Sequence, residues 1–440
     1  MHTDAQGHAL PNATAEASRL FVAAIDEFNR YAGDPIARIE AAIADAPDFA
    51  MAHLFKAHMF ATATEPAATA AAKHILATAR HLKLNDREAS HANAIAHVLD
   101  GNWTRAAVAL DHHSMRWPHD IVALQSGHLI DFFRANARDL RDRPARALPH
   151  WPDDMPGRSF VMGMHAFGLE ESGDYTRAED AGRTAIHLDA ADCWAHHAVA
   201  HVMEMQGRAE DGIGWMIARE PHWAADGNFF QTHNWWHRAL FHLDLEQHHQ
   251  ALALYDDKVR GEPSHVAVDL VDASALLWRL ELLGVDTGNR WAEIADGWQA
   301  HADSQLYAFN DLHAAMAYLG AGRITDVDAL LVTYRANSTE ATEAGQWWLT
   351  HGAPLIEGFR AFWTGDYDTA VANLHSSRFI ANGFGGSHAQ RDVIDWTLMH
   401  AALRGNMRSV AEALANERLA QKPRSPVNTA WLRAARSLAR

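Results

Sequence analysis

The chain has 440 residues and a formal net charge of −17 with histidine neutral. That charge argues against a nucleic-acid or anionic-membrane surface as its main partner, because phosphates favour Lys and Arg patches. With 48% hydrophobic and 21% charged residues it has the mix of an ordinary globular protein, and its single cysteine, Cys193, rules out a disulfide framework within the chain.

The N-terminal stretch MHTDAQGHALPNATAEAS is polar and lacks the basic-then-apolar pattern of a signal peptide. No stretch approaches the roughly 18 to 20 apolar residues that span a bilayer. The reading is a cytoplasmic protein with no membrane partner and a flexible segment over 1–15.

Strand signals are nearly absent. Ala-rich amphipathic segments recur along the chain, broken by glycine at short intervals. In chain order, helices are predicted over 50–62, 87–99, 121–133, 157–171, 192–205, 230–245, 268–283, 305–320, 350–363 and 388–403. The punctuation after them is a glycine, a polar residue and, in the clearest copies, an aromatic, with a small residue three further on. It reads GNWTRA (101–106), GDYTRA (173–178) and GDYDTA (365–370), with weaker copies GRAEDG (207–212), GRITDV (322–327) and GNMRSV (405–410). Gly173 and Gly207 are 34 residues apart, the period of the tetratricopeptide helix–turn–helix unit. ALPHWPDDMPGR (147–158), with three prolines, reads as the longest connector, and ANGFGGSHAQRD (381–392) as a second irregular stretch.

The expected fold is therefore all-α: one tetratricopeptide-like solenoid over 1–440 with roughly ten or more helical hairpins. Its superhelix is expected to be right-handed, with a concave central pocket. Glycine ends each first helix in a left-handed conformation, and alanine lets the second helix pack closely against it.

Register decides which side chains face the concave side. Counting back from Gly207 as repeat position 15 puts Ala200 at the packing position 8. Trp194, His197, His201 and Glu204 then fall at the concave positions 2, 5, 9 and 12. In the next repeat, Ala239 at position 8 puts His233, Trp236, His237 and Asp244 at 2, 5, 6 and 13. In the last repeat, Asp392 and Asp395 fall at 2 and 5. A groove gripping an acidic peptide tail would instead favour Lys, Arg and Asn.

Two chemistries follow. The i, i+4 pairs His197/His201 and His233/His237 could present four imidazoles to a divalent metal such as zinc. Without a metal, histidine beside a carboxylate is a general acid–base arrangement, and His201 and Glu204 are i, i+3 neighbours. The expected catalytic set is His197, His201, Glu204, His233, His237 and Asp392. Substrate contacts are expected from Trp194, Trp236, His388, Gln390 and Arg391, with Arg391 anchoring a carboxylate. Ser387 belongs to the same stretch. His196, at position 4, reads as structural. No GxSxG, GxGxxG, CxxC or HExxH occurs, so a serine nucleophile and a nucleotide site lack support, and no organic cofactor is implied.

The chain resembles the tetratricopeptide repeat protein 38 family. The likeness rests on HHAVAHVMEMQGR (196–208), HNWWHRALFHLD (233–244), DASALLWRLELLG (272–284), FNDLHAAMA (309–317) and GGSHAQRDV (385–393). It implies the helical-repeat fold and leaves activity open. The leading expectation is an enzyme of hydrolase or lyase type acting on a small organic molecule in a closed pocket. The alternative is a non-catalytic scaffold that binds a peptide or protein in its groove. A homodimer is compatible with either.

Overall fold

The computed structural model describes residues 2–303, 305–337, 342–378 and 384–439. Among these residues the only sheet is a two-stranded ladder, His2–Thr3 with Ala9–Leu10; the rest of the regular structure is helical. This ladder occupies most of the segment that reads as flexible from its composition, and Asp4 inside it is buried. Among the described residues no helix is long and apolar enough to cross a membrane.

The ten predicted first helices are Ala50–Ala61, Asp86–Leu99, Ile121–Phe133, Arg158–Glu171, Cys193–Met205, Gln231–Asp244, Ala267–Leu282, Ala308–Gly320, Ala353–Trp363 and His388–Arg404. Each is followed by a second helix, as Tyr175–Leu188 follows Arg158–Glu171. An additional hairpin, Ala15–Arg30 with Pro35–Asp45, precedes them.

The glycine punctuation works as expected at Gly101, Gly173, Gly207, Gly322 and Gly365, all with φ between 67° and 82°. It differs at 405–410. Gly405 has φ −78°, and Asn406 takes the left-handed position at φ 56°. Asparagine tolerates that region because its short side chain bonds locally. Helix packing is close where small residues meet: a Cβ on Gly168 would lie 2.3 Å from the Leu140 carbonyl oxygen. The proline-rich connector is a short 3-10 turn, Leu148–His150, and an irregular run to Arg158.

The chain divides into two compact units. The first comprises Met1–Val199 with Pro221–Phe230, the second Ala200–Glu220 with Gln231–Arg440. The first unit's core is aromatic: Phe21 packs edge-on against Phe49 and Phe55. The second buries Trp278, Trp291 and Trp298. Trp298 donates its indole N–H to Ser274 Oγ at 2.9 Å, and Trp278 donates to Thr397 Oγ1 at 2.9 Å. These bonds let large rings be buried without an orphaned donor.

One buried polar group in the first unit has no such partner. His128, on Ile121–Phe133, lies edge-on to Trp194 and Phe167, and among the described residues neither ring nitrogen is hydrogen-bonded. Burial, with the Arg143 guanidinium adding to it, pushes the imidazole down to about 3. The unfolded chain binds this proton near pH 6.5 and the folded chain does not, so the stability present above that pH is lost as pH falls from 6.5 toward 3. The slope is about 1.4 kcal/mol per pH unit. His128→Leu should remove this share of the acid sensitivity, read by urea unfolding at pH 7 and pH 5. An unchanged difference between the two pH values would assign the sensitivity to other groups.

Candidate functional site

In the second unit, three helices bring five ionisable side chains together. Helix Gln231–Asp244 carries His233 and His237 one turn apart. Helix Cys193–Met205 contributes His201 and Glu204, and Ala267–Leu282 contributes Asp272. The seam residues Ala200 and Ala239 are fully buried, as the register requires, so these polar positions turn together to one side of the packing seam.

His233 Nδ1 lies 3.0 and 2.9 Å from the two Asp272 carboxylate oxygens. His237 Nδ1 lies 3.3 Å from Glu204 Oε2, and the two Nε2 atoms lie 3.1 Å apart. The His201 ring centroid is 4.5 Å from that of His237. One ring nitrogen from each of His201, His233 and His237 falls within 4.8 Å of the others. Burial, reinforced by the neighbouring imidazole of His237, holds His201 well below the ordinary histidine range.

Proton bookkeeping sharpens this geometry. A carboxylate only accepts, so both Nδ1 atoms carry the proton and donate. Two neutral imidazoles then face each other through Nε2 lone pairs at 3.1 Å. Such a contact is repulsive unless a positive charge, a proton or a metal ion, resides there.

Glu204 also faces a narrow cleft. Leu240, Phe241, Asp244, Arg279, Asp392 and Trp396 line it with Glu204, as do Arg418 and Lys422. Its free volume is about 20 Å³, the scale of one bound water. Lys422 Nζ is 3.7 Å from Glu204 Oε1. Asp392 accepts two bonds from Arg418, at 2.6 and 2.9 Å, and one from the Trp396 indole at 3.0 Å. Burial alone would raise the Asp392 carboxyl, but Arg418 outweighs it and holds the group far below the usual range. Asp244 accepts from Ser425 Oγ at 2.5 Å.

Arg279 is different. It is 1% exposed and donates only to backbone carbonyls, Ala275 at 3.1 Å and Ala389 at 2.8 Å. Its guanidinium lies over the Trp236 and Trp396 rings, at 5.6 and 5.8 Å. Among the described residues no carboxylate stands within ion-pair distance of it. Burial pushes it down to about 10, against the nearby Asp392 and Glu204 charges.

The structure thus brings together His201, Glu204, His233, His237 and Trp236, which stacks on His233 at 5.2 Å. Asp392 lines the cleft as a paired anion, a poor proton carrier because its charge is locked to Arg418. His388 is near enough for its charge to bear on His201. Gln390 and Ser387 form the capping box of His388–Arg404, so the Gln390 amide serves the backbone. Arg391 donates to the Gly386 carbonyl, and that hydrogen bond together with its burial ties it to its own helix start. Residues 381–383 of that stretch lie outside the described residues.

Trp194 and His197 belong to the first unit. Trp194 packs on Phe167 at 4.9 Å and donates to the Tyr31 hydroxyl at 3.1 Å. His197 stacks on Phe167 at 5.3 Å and meets Phe230 edge-on. His196 stacks on Trp223 at 6.0 Å. The register analysis did not single out Asp272, Arg279, Arg418 or Lys422. The first two sit in DASALLWRLELLG, where a carboxylate and a guanidinium two turns apart in an apolar helix are the signal.

A second histidine network lies wholly in the first unit. Asp120 Oδ2 receives Arg87 Nε at 2.5 Å, His91 Nε2 at 3.0 Å and His113 Nε2 at 3.1 Å. His58 Nε2 is 3.0 Å from His91 Nδ1, and Asp120 Oδ1 caps helix Ile121–Phe133 through the Ala123 N–H. Neutral imidazoles satisfy every one of these links. Arg87 occupies the oxygen that a metal would use, so this network reads as a structural clamp.

No family model matches the chain. The APC/C hetero-tetramer Cut9-Hcn1 is similar in structure at 13% identity and TM-score 0.45, over 95% of this chain and 76% of that one. The human IFIT1 dimer with PPP-AAAA is similar at 12% identity and TM-score 0.39, over 84% and 87%. The same dimer with m7Gppp-AAAA gives 13% and 0.41, over 95% of each chain. Among the described residues the chain is an all-α protein of paired helical hairpins.

The clamp around Asp120 makes a direct prediction. Asp120→Asn keeps the cap acceptor but leaves Arg87 buried with only Asp4, 3.4 Å away. Loss of a buried charge partner should cost about 3–5 kcal/mol. Chemical denaturation measures it, and a cost below about 1 kcal/mol would mean the network is loosely held.

Proposed function

We propose that this chain is an enzyme of hydrolase or lyase type, acting on a small organic molecule that carries a negatively charged group. His201, His233, His237 and Glu204 supply acid–base chemistry, and Asp272 fixes the tautomer of His233. The observation that carries the reading is the double role of Glu204. One oxygen meets His237 and the other faces Lys422 in the cleft, so the histidine cluster and the cleft share a wall.

The charge of the substrate follows from Arg279. A buried guanidinium with only carbonyl partners is costly, and an anion entering the cleft offsets that cost. The carboxylates of the cleft wall already have partners: Asp392 has Arg418, Asp244 has Ser425, and Glu204 has His237 and Lys422. Arg279 therefore takes the anchoring role that the sequence suggests for Arg391. The resemblance to the tetratricopeptide repeat protein 38 family, carried by HNWWH and SHAQRD, is part of the same proposal and adds no activity to it.

An unbiased metabolite screen with wild-type and His201→Ala protein side by side tests the reading. Wild-type protein should change the mass of at least one anionic metabolite, and His201→Ala should abolish that change while keeping the far-UV circular dichroism of the wild type. Equal turnover by both would remove His201 from the mechanism. Arg279→Lys should weaken recognition of the anionic substrate about tenfold or more, and a neutral analogue much less. Equal losses for both would leave Arg279 a structural role only.

A further inference from the structure

The geometry points to a divalent transition-metal site on His201, His233 and His237 of the second unit, with Asp272 and Glu204 behind two of the ligands. The inference deepens the reading of this site as catalytic, and it rests on that reading only for what the ion would do.

Three observations carry it. First, His233 and His237 each turn Nδ1 toward a carboxylate, Asp272 at 2.9 Å and Glu204 at 3.3 Å. Metal-ligating histidines almost always donate their other N–H to a carboxylate or carbonyl, which fixes the tautomer and leaves the free nitrogen more basic. Two such pairs side by side expose two Nε2 lone pairs to one point. Second, those Nε2 atoms are 3.1 Å apart. Two nitrogens bound tetrahedrally to zinc at 2.0–2.1 Å are about 3.4 Å apart, so the pair needs only a small adjustment to hold an ion. Third, a ring nitrogen of His201 falls within 4.8 Å of both. A proton between the two Nε2 atoms would relieve their repulsion but would leave the approach of this third imidazole unexplained. A metal ion accounts for all three.

The first unit provides the contrast. His91 and His113 also converge, but on a carboxylate oxygen already held by Arg87 at 2.5 Å. A cation there would meet the guanidinium charge, and no lone pair is left facing another. His201, His233 and His237 supply imidazole nitrogen, a ligand type that zinc binds in both structural and catalytic centres. Neutral imidazole nitrogen suits zinc, copper, iron or nickel, not magnesium or calcium.

The test uses full-length protein purified without a histidine tag, stripped with chelator and titrated with Zn²⁺ and with Co²⁺. The expected result is one tightly bound equivalent and visible Co²⁺ absorption of a nitrogen-rich, four- or five-coordinate site. His233→Gln with His237→Gln should abolish both signals, whereas His91→Gln with His113→Gln should keep them. Asp272→Asn should weaken Zn²⁺ binding about 10–100-fold without removing a ligand. Failure of the wild-type protein to bind one equivalent would overturn the inference, as would loss of binding in the first-unit variant but not in the second-unit one. Because stoichiometry is read without turnover, the two proposals fail separately. Turnover by protein that binds no equivalent overturns only the metal site; one bound equivalent without turnover of any metabolite overturns only the enzymatic reading.

Discussion

The contact on which the rest of this structure depends is the close approach of paired helices through alanine and glycine. Ala200 and Ala239 are fully buried, and a Cβ on Gly168 would strike a neighbouring backbone. Helices that touch at such points cannot rotate about their axes without losing the contact or adding a clash. Rotation fixes which residues turn away from the seam. In Cys193–Met205 the seam residue Ala200 leaves His201 and Glu204 on the side where His237 lies, and in Gln231–Asp244 the seam residue Ala239 does the same for His233 and His237. The site is a consequence of small residues elsewhere on the same helices.

The two histidine networks show how donor counting separates support from chemistry. Around Asp120 each imidazole donates once or accepts once, and Arg87 neutralises the carboxylate. Each of these links closes within the network, which joins the end of one hairpin to the start of the next, while His113 Nδ1 has no partner among the described residues. Around His233 and His237 each Nδ1 faces a carboxylate and the two Nε2 atoms face each other at 3.1 Å. Beside them lies Arg279, a buried cation with no carboxylate in ion-pair distance among the described residues, in the wall of the cleft that Glu204 lines.

Much of the fold was legible from glycine spacing. Ten first helices fall within a few residues of their predicted bounds, and left-handed glycine follows six of them, at Gly101, Gly173, Gly207, Gly284, Gly322 and Gly365. The other four turns place Thr64, Ala135, Glu246 and Asn406 in that conformation, which glycine spacing alone does not reveal. The hairpin over Ala15–Asp45 went unread because it lacks a Gly-polar-aromatic turn. For the site, counting from Gly207 selected His201 and Glu204, and counting from Ala239 selected His233 and His237. The same count also selected Trp194 and His197, which lie in the first unit, where both rings pack on Phe167.

The sequence by itself determined the helical-repeat architecture, the helix ends and the side of each helix that carries polar groups. These follow from local rules: 3.6 residues per turn, positive φ at glycine, and alanine at the seam. Only the tertiary structure decided which polar groups meet. Asp272 and Arg279 come from a third helix, and Arg418 and Lys422 from the C-terminal end of the chain, so no spacing relates them to His233 or Glu204. It also decided which groups are already satisfied, as Gln390 is by its cap and Asp392 by Arg418. Satisfaction is a property of three-dimensional neighbours, and it separates a partnered side chain from one left open to a ligand.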